Sequence, residues 1–189
     1  MKRRIFVRKA YVSDREVVFR FCEKTWSWGD YVPKVWDRWL KEKNGGVFVA
    51  TIDGMPVGIS HLNVDKPGEV WLSAARTDPN YRRMGVATAI TRKCLEYAKK
   101  KEAKVARLVT GSNNKAAQAV VKKLGFKSVA EFVEMVTKNV TDERSKNQDS
   151  RKKTKQRKYG VTYKTQKLSV VQQVYTRFYF TGSHWRRPP

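Results

Sequence analysis

The spacing of apolar positions along the chain predicts a strand followed by two helices at the N-terminus. Residues 4–10 alternate as a strand does. Ser13 and Glu16 have the Ser-x-x-Glu spacing of a capping box, which predicts a helix over 14–27. A second short helix is expected over 32–43, where apolar and aromatic residues recur at helical spacing. The chain therefore opens as β-α-α.

Three consecutive β-rich runs come next. Two of them flank Asp53-Gly54, a strong hairpin signal. Pro67-Gly68 marks another turn, and 69–77 reads as a third antiparallel strand that Pro79 ends. These runs predict an antiparallel meander.

The pattern then changes to alternating helices and strands. A helix is expected over 85–101, followed by a short strand over 103–110. Parallel pairing of that strand with 69–77 would make a right-handed βαβ crossover. Another helix over 114–124 ends at Gly125, and a strand follows over 127–137.

The C-terminal third contains a basic segment and then regains aromatic and β-branched residues. Residues 144–158 are rich in Lys and Arg and contain no apolar residue, which indicates a loop or linker. Residues 169–180 are expected to return to the sheet as a final strand, with a helix over 166–176 as the alternative. The prediction is a single α+β domain, divided into a core over 1–138, a basic loop or linker over 139–160, and a C-terminal strand plus tail over 161–189.

Composition narrows the class of protein. The chain has 189 residues, 40% of them hydrophobic, as expected for one globular domain. No run approaches the roughly 20 apolar residues of a membrane span, so we expect a cytoplasmic protein without a membrane partner. Cys22 and Cys94 are isolated and expected to be reduced thiols. The net charge of +24 would attract a polyanion such as RNA, or serve only as a solubilising surface.

One stretch has the features of an anion site. NYRRMGVATAIT, residues 80–91, lies between a predicted strand and a predicted helix. A helix start leaves several backbone N–H groups without internal partners and carries partial positive charge. Gly85 and Ala87 keep the backbone open to a diphosphate, and Arg82 and Arg83 add charge. The stretch is neither a Walker A loop nor GxGxxG.

The surroundings of this turn resemble a known family. T-x-P-x-Y-R-R-x-G-x-A, followed by a helix, a strand and SNNKAAQAVVKKLGF, resembles the GNAT superfamily of N-acetyltransferases. The resemblance runs over about 4–138 and is strongest at 69–126. It implies an acetyl-CoA N-acyltransferase-like fold: αβα layers around a mixed, mostly antiparallel sheet, with one parallel strand pair splayed apart to hold the cofactor.

The resemblance also implies which residues hold acetyl-CoA. The backbone of 75–77 would pair with the pantetheine arm, the N–H groups of 83–88 would bind the pyrophosphate, and Asn114 would hydrogen-bond the arm near the thioester. A backbone N–H near Thr77, at a strand bulge that the family has, would stabilise the oxyanion. The cofactor-binding set is Ala75, Arg76, Thr77, Arg82, Arg83, Met84, Gly85, Val86, Ala87, Thr88 and Asn114.

The sequence departs from the family where a proton must be moved. Many members carry a Tyr acid where this chain has Val121, and the branch that acetylates ribosomal-protein N-termini has a Glu where this chain has Val109. Glu69 is the first candidate for the general base. The alternative is that it is a solvated carboxylate at the end of its strand. His61 is the second alternative for the base, because a histidine can titrate near pH 7, or it is a structural residue of its strand.

The acceptor half of the site is predicted from the aromatic region 26–39. Asp30, with Trp28 and Tyr31, would bind a cationic group by charge and cation–π contact. The alternative is that these aromatic residues pack the first two helices onto the sheet.

The predicted function is direct transfer of an acetyl group from acetyl-CoA, without a metal, to a primary amine. The acceptor could be an amino acid, a small amine, or an amine linked to protein or RNA. The alternative is a catalytically degenerate member of the fold that binds nucleic acid through 144–158. A monomer or a homodimer is expected.

Overall fold

A computed structural model of the chain describes residues 4–23, 25, 29–137 and 170–181. Its strands and helices follow the order β-α-α-β-β-β-α-β-α-β-β. In chain order they are β1 (Ile5–Lys9), α1 (Arg15–Cys22), α2 (Val32–Leu40), β2 (Gly45–Ile52), β3 (Met55–Lys66), β4 (Glu69–Thr77), α3 (Val86–Lys100), β5 (Val105–Gly111), α4 (Lys115–Lys123), β6 (Lys127–Thr137) and β7 (Val170–Thr181).

All seven of these strands form a single mixed sheet. Its strand order is β1-β2-β3-β4-β5-β7-β6. The β4–β5 pair is parallel, and the other five pairs are antiparallel. The predicted βαβ crossover through α3 and the predicted C-terminal strand are therefore confirmed. The alternative helix over 166–176 is wrong where the chain is described, because Val170–Thr181 pairs with both β5 and β6.

Helices cover both faces of the sheet and bury two hydrophobic cores. On one face, α1 and α2 contribute Val18 and Trp36, both fully buried. On the other face, α3 and α4 contribute Ile90 and Val121. One of the two cysteines lies in each core, Cys22 of α1 and Cys94 of α3. The predicted αβα layering is confirmed.

The β2–β3 hairpin turns where the sequence predicts. Asp53 and Gly54 have φ values of +51° and +80°. Two successive left-handed residues match the right-handed twist of the flanking strands, which is why Asp-Gly is favoured there.

The start of α1 differs from the prediction. Ser13 does not cap the helix, because it lies inside a short 3-10 turn over Val12–Asp14. The Asp14 carboxylate instead accepts hydrogen bonds from the Tyr11 N–H and from the Arg8 guanidinium, each at 2.7 Å. Burial alone would raise the pKa of Asp14, but these hydrogen bonds outweigh it and hold the pKa below the usual value. The predicted capping box is wrong because a cation on β1 draws Asp14 into that position.

Several predictions fall on parts of the chain that lie outside the described residues. These are the basic segment 144–158, the C-terminal tail and Trp28. Within the described residues, no helix combines the length and the apolar character that crossing a membrane requires.

Candidate acetyl-CoA site

A cleft opens between β4 and β5. The two strands pair at Glu69↔Val105, Val70↔Ala106 and Trp71↔Arg107, and no pair follows. Beyond Trp71, β4 continues to Thr77 while β5 remains paired with β7 as far as Gly111. The strands therefore separate, and the side of β4 that faced β5 is left without a ladder partner. This is the splayed parallel pair expected from the sequence.

A bulge distorts β4 at the mouth of this cleft. The β3–β4 register passes from Ile59↔Arg76 to His61↔Ser73, so two residues of β4 stand opposite one residue of β3. One of the two, Ala74, has a φ of +51°, a left-handed conformation that non-glycine residues rarely adopt. The sequence-based expectation placed the bulge near Thr77. The structure places it two to three residues earlier, at Ala74 and Ala75.

Backbone groups of β4 face the cleft at alternate residues. The Asp78 N–H donates to the Val57 carbonyl at 2.9 Å, so Asp78 directs its backbone towards β3. Because hydrogen-bonding direction alternates along an antiparallel strand, Thr77 directs its backbone away from β3, and Arg76 does not. Ala75 lies in the bulge, where this alternation is interrupted, and its carbonyl accepts from Arg76 Nη1 at 3.1 Å. Of the three residues predicted to bind the pantetheine arm, Thr77 therefore offers its backbone groups to the cleft.

The turn between β4 and α3 gathers the residues predicted to bind pyrophosphate. Arg83 and Gly85 have left-handed φ values of +61° and +88°, and no side chain caps α3. The first helical hydrogen bond runs from the Ala89 N–H to the Gly85 carbonyl at 2.9 Å. The N–H groups of Val86, Ala87 and Thr88 consequently have no acceptor within the helix. These donors, with exposed Arg82, Arg83 and Met84 beside them, suit a phosphate anion.

Gly85 is required by conformation more than by space. A Cβ built at this position would meet only Ile5 Cδ1, at an ordinary 3.9 Å. A side chain at a φ of +88° is strained whatever space surrounds it. The left-handed turn is what brings the N–H groups of the α3 start to one point.

Asn114 lies on the other wall of the cleft, just after β5. It is the N-cap of α4, and its Oδ1 accepts from the Ala117 N–H at 3.1 Å. The side chain is therefore fixed in orientation, with its amide nitrogen left to donate to a ligand. Val121, at the position of the missing Tyr, is a residue of α4 and is buried in the core.

Glu69 lies at the closed end of the β4–β5 pair. Its carboxylate is bound by Lys66 at 3.2 Å and by Arg107. A strand rises about 3.3 Å per residue, so Glu69 is roughly 16 Å from Ala74 along β4. The structure does not bring Glu69 together with the other predicted site residues, and its role as base stays a prediction that this position disfavours.

Asp30 is paired internally. Its side chain is fully buried and accepts from Arg76 Nε at 2.7 Å and from the Val32 N–H at 3.0 Å. Tyr31 lies over the Arg76 guanidinium, 5.5 Å from ring centre to carbon, and is 43% exposed. Asp30 thus neutralises a cation of the protein itself, and Tyr31 is the group that reaches the surface.

His61 is part of a cluster that the sequence did not reveal. His61 Nε2 lies 2.7 Å from Glu42 Oε2, and His61 Nδ1 lies 3.1 Å from Ser73 Oγ. The ring stacks on Trp39 with centroids 4.0 Å apart and planes 10° from parallel. Strand register puts Ser73 opposite His61, but no local pattern points to Glu42, which follows α2 in the chain.

The described residues contain no group of three or more His, Cys, Asp or Glu side chains placed to hold a metal ion.

A sheet that splays beside a left-handed turn and an uncapped helix start defines a class of protein, the CoA-dependent acyltransferases with αβα layers. Comparison with known proteins gives the family. Residues 14–126 match the acetyltransferase (GNAT) family, so the chain belongs to that family. The resemblance noted in the sequence, the fold class and the enzyme class are confirmed.

One relative and two solved structures are similar to this chain. An uncharacterized N-acetyltransferase of Methanocaldococcus jannaschii is 34% identical over 107 residues, which cover 51% of this chain and 47% of that protein. The chain thus matches about half the length of that relative. The ribosomal-protein-S18-alanine N-acetyltransferase of Escherichia coli has a TM-score of 0.64 at 16% identity and covers 94% of each chain.

The second solved structure contains acetyl coenzyme A. This protein of Bacillus anthracis, solved in complex with acetyl coenzyme A, has a TM-score of 0.61 at 14% identity and covers 94% of this chain and 99% of that one. At such identities the two solved structures show the shared fold. Acetyl-CoA is the cosubstrate of this class, as predicted.

Proposed function

We propose that the protein transfers the acetyl group of acetyl-CoA directly to a primary amine. The observation that carries this proposal is the combination of the β4–β5 splay with the left-handed turn at Arg83 and Gly85. The splay leaves strand backbone without a ladder partner, and backbone N–H and C=O groups are strong hydrogen-bonding groups that a ligand can pair. A ligand with an amide-rich arm and a diphosphate supplies partners to both features.

Each part of the cleft has its own task in this proposal. Thr77 pairs with the pantetheine arm as an added strand would, and the Asn114 amide nitrogen donates to the arm from the opposite wall. The N–H groups of 83–88 hold the pyrophosphate. Bound there, acetyl-CoA supplies an acetyl group whose carbonyl carbon is open to an amine. One of the cleft-facing N–H groups of β4, Thr77 as predicted, donates to the carbonyl oxygen and stabilises the charge that develops on it.

The acceptor is proposed to be an amine that is not polycationic. A net charge of +24 repels an extended cationic surface, while it tolerates a free amino acid, a neutral N-terminus or an amine attached to RNA. The solved neighbour named for acetylating an alanine of a ribosomal protein suggests the first probe, a short peptide with N-terminal alanine. The RNA contact through 144–158, the cytoplasmic location and the monomeric or homodimeric state stay predictions.

A glycine substitution in the turn tests the proposal. Gly85→Glu places a carboxylate among the phosphate-binding N–H groups, and we expect it to abolish the rise in melting temperature that acetyl-CoA gives the wild type. Gly54→Glu is the matched control, since Gly54 has a similar φ of +80° and lies in the β2–β3 hairpin. Both variants bear the same left-handed strain, about 1–2 kcal/mol.

The readout is the melting temperature with and without acetyl-CoA, together with acetylation of the alanine peptide, free amino acids and small amines. Gly54→Glu should keep the full stabilisation by acetyl-CoA. An unchanged acetyl-CoA response in folded Gly85→Glu would mean that the pyrophosphate binds elsewhere. A wild type that acetyl-CoA does not stabilise, and that acetylates none of the panel, would end the proposal.

A further inference from the structure

We infer that Ser73, His61 and Glu42 form a proton relay that removes a proton from the acceptor amine. This inference rests on the proposed function, because it assigns the proton acceptor that acetyl transfer to an amine requires. It supplies the base whose family position holds Val109 here. The acid position, Val121, is not replaced, because the departing thiolate takes its proton from the amine. Ser73 is the catalytic residue, and His61 and Glu42 act through it.

The hydrogen bonds fix the direction of the relay. A carboxylate only accepts, so the short contact of 2.7 Å between Glu42 Oε2 and His61 Nε2 places the proton of a neutral ring on Nε2. His61 Nδ1 is then an acceptor, and the Ser73 hydroxyl, at 3.1 Å, donates to it. The serine oxygen is thereby made the basic end of the chain of groups, as in other serine–histidine–carboxylate arrangements.

The position of Ser73 places that basic end at the cleft. Ser73 lies two residues beyond Trp71, the last residue of β4 that pairs with β5, and directly before the strained bulge residue Ala74. It is half-buried, whereas only 4% of His61 is exposed. His61 therefore cannot touch an acceptor itself, and Ser73 is the member of the cluster that can.

The other end of the relay leads out of the protein. The Glu42 side chain is 26% exposed, compared with 5% for His61. A proton that arrives on the ring from Ser73 can leave through Glu42 to solvent. The three groups thus connect the cleft between β4 and β5 with water on the α2 side of the sheet.

The surroundings keep the ring neutral and fixed. Burial lowers the pKa of His61, and Arg38 lowers it further, while the hydrogen bond and charge of Glu42 act in the opposite direction; the net pKa lies below the usual value for histidine. The stack on Trp39, 4.0 Å between ring centroids, holds the imidazole plane in line with both partners. The ring is then an available proton acceptor at neutral pH.

The step is balanced in protons and electrons. The ammonium form of the acceptor passes one proton to Ser73 Oγ as the serine passes its own to His61 Nδ1, which leaves an imidazolium beside the Glu42 carboxylate. The freed nitrogen lone pair forms a bond to the acetyl carbon and the carbon–sulfur bond breaks. The departing CoA thiolate takes the second proton of the amine. The relay proton leaves to solvent, and the products are the amide and CoA.

The first experiment needs no acceptor. The sequence holds two histidines, so histidine labelled with ¹⁵N gives two sets of ring signals, and His61→Gln assigns them. The relay requires that neutral His61 carry its proton on Nε2, and Ser73→Ala should shift the Nδ1 resonance because it removes a hydrogen bond. A neutral ring protonated on Nδ1 would overturn the relay, since such a ring cannot accept from serine.

The second experiment uses acetyl-CoA and the peptide with N-terminal alanine, or whichever panel amine the wild type acetylates. Ser73→Ala is expected to lower kcat by about 100-fold, the lower end of what proton transfer contributes. The rise in melting temperature that acetyl-CoA gives should stay as in the wild type. Ser73→Thr keeps the hydroxyl and is expected to recover most of the rate.

The pH dependence separates a relay from a structural role. In the wild type the rate should fall at acidic pH as His61 takes up a proton. In Ser73→Ala the fall should begin at a higher pH, where the acceptor amine itself becomes protonated. Wild-type kcat and pH profile in Ser73→Ala would overturn the relay while leaving the acetyltransferase proposal intact. A wild type that binds no acetyl-CoA and acetylates nothing would overturn the proposed function and the relay with it, whatever the tautomer of His61.

Discussion

At the scale of single residues, the cofactor half of the cleft is made chiefly from backbone. Thr77 contributes the direction of its N–H and C=O groups, and Gly85 contributes a left-handed φ of +88° that lets α3 begin without a side-chain cap. Side chains at these positions matter less than the dihedral angles they permit. Substitutions should therefore be judged first by backbone conformation and only then by charge or size.

Asn114 is the exception, since its side chain has two tasks that substitutions can separate. Asn114→Asp keeps the oxygen that caps α4, because Asp and Asn are equally good N-caps, but removes the amide donor. We expect unchanged thermal stability and a KM for acetyl-CoA raised about 10-fold, the loss of one hydrogen bond.

Asn114→Ala removes both tasks and serves as the comparison. It should lose about 1 kcal/mol of stability in addition to the weaker cofactor binding. Thermal melts and acetyl-CoA titrations of the two variants measure the two effects separately. Equal KM values for wild type and Asn114→Asp would show that Asn114 caps the helix and does nothing more.

Some of these residues could be predicted from the sequence, and others could not. Gly85 was predicted because a glycine leaves the backbone open to a diphosphate, and its left-handed φ became visible only in the structure. Asn114 was identified through the family resemblance, and its role as the N-cap of α4 was likewise seen only in the structure. Ala74 carries no mark in the sequence, since alanine is not a residue expected at positive φ, and the bulge was accordingly placed near Thr77. Asp30 was read as a substrate ligand because its partner, Arg76, is 46 positions away in the chain.

At the scale of elements, α3 can pack closely on β3 because Gly58 of β3 has no side chain at the contact. A Cβ at Gly58 would stand 2.7 Å from Val86 Cγ1 and 2.9 Å from the Arg76 carbonyl oxygen. Both distances are shorter than real Cβ contacts, and one of them is to backbone. The first turn of α3 and the cleft-side strand β4 therefore both depend on Gly58.

Gly58→Ala is expected to destabilise the protein by about 1–3 kcal/mol, the usual cost of overpacking a core, and also to weaken acetyl-CoA binding. The second effect arises because the clash pushes α3, and with it the phosphate-binding N–H groups, away from the sheet. Adding Val86→Ala should restore part of both losses. Melting temperature and acetyl-CoA affinity of the single and double variants test this, and a stability loss with unchanged affinity would show that the turn is independent of the packing beneath it.

Element types were predicted well because most elements are amphipathic over a full turn or several alternations. Their ends were predicted less well. α1 was expected over 14–27 and is Arg15–Cys22, so its start was predicted to within one residue and the error lies at its C-terminal end. β4 was predicted without error, because Pro67-Gly68 and Pro79 limit it on both sides.

At the scale of the whole molecule, the charge of +24 acts on stability as well as on partners. Like charges on a compact protein repel one another, and salt reduces this repulsion as the Debye length shortens from about 30 Å at 0.01 M to about 3 Å at 1 M. We expect the melting temperature to rise with NaCl over this range. KCl should give the same rise, since screening does not depend on the cation. A melting temperature that falls would mean that attractive ion pairs such as Lys93–Glu96 outweigh the repulsion.

The two cysteine thiols of the folded protein do not interfere with an assay that detects the thiol of released CoA. Burial raises the pKa of Cys22 and of Cys94 to about 12, so neither is a thiolate at neutral pH and neither reaches a reagent in solution. CoA released during acetyl transfer carries an accessible thiol. A colorimetric disulfide reagent should therefore report product formation continuously and without cysteine substitutions, and any colour in the absence of an acceptor would report either thioester hydrolysis or unfolding.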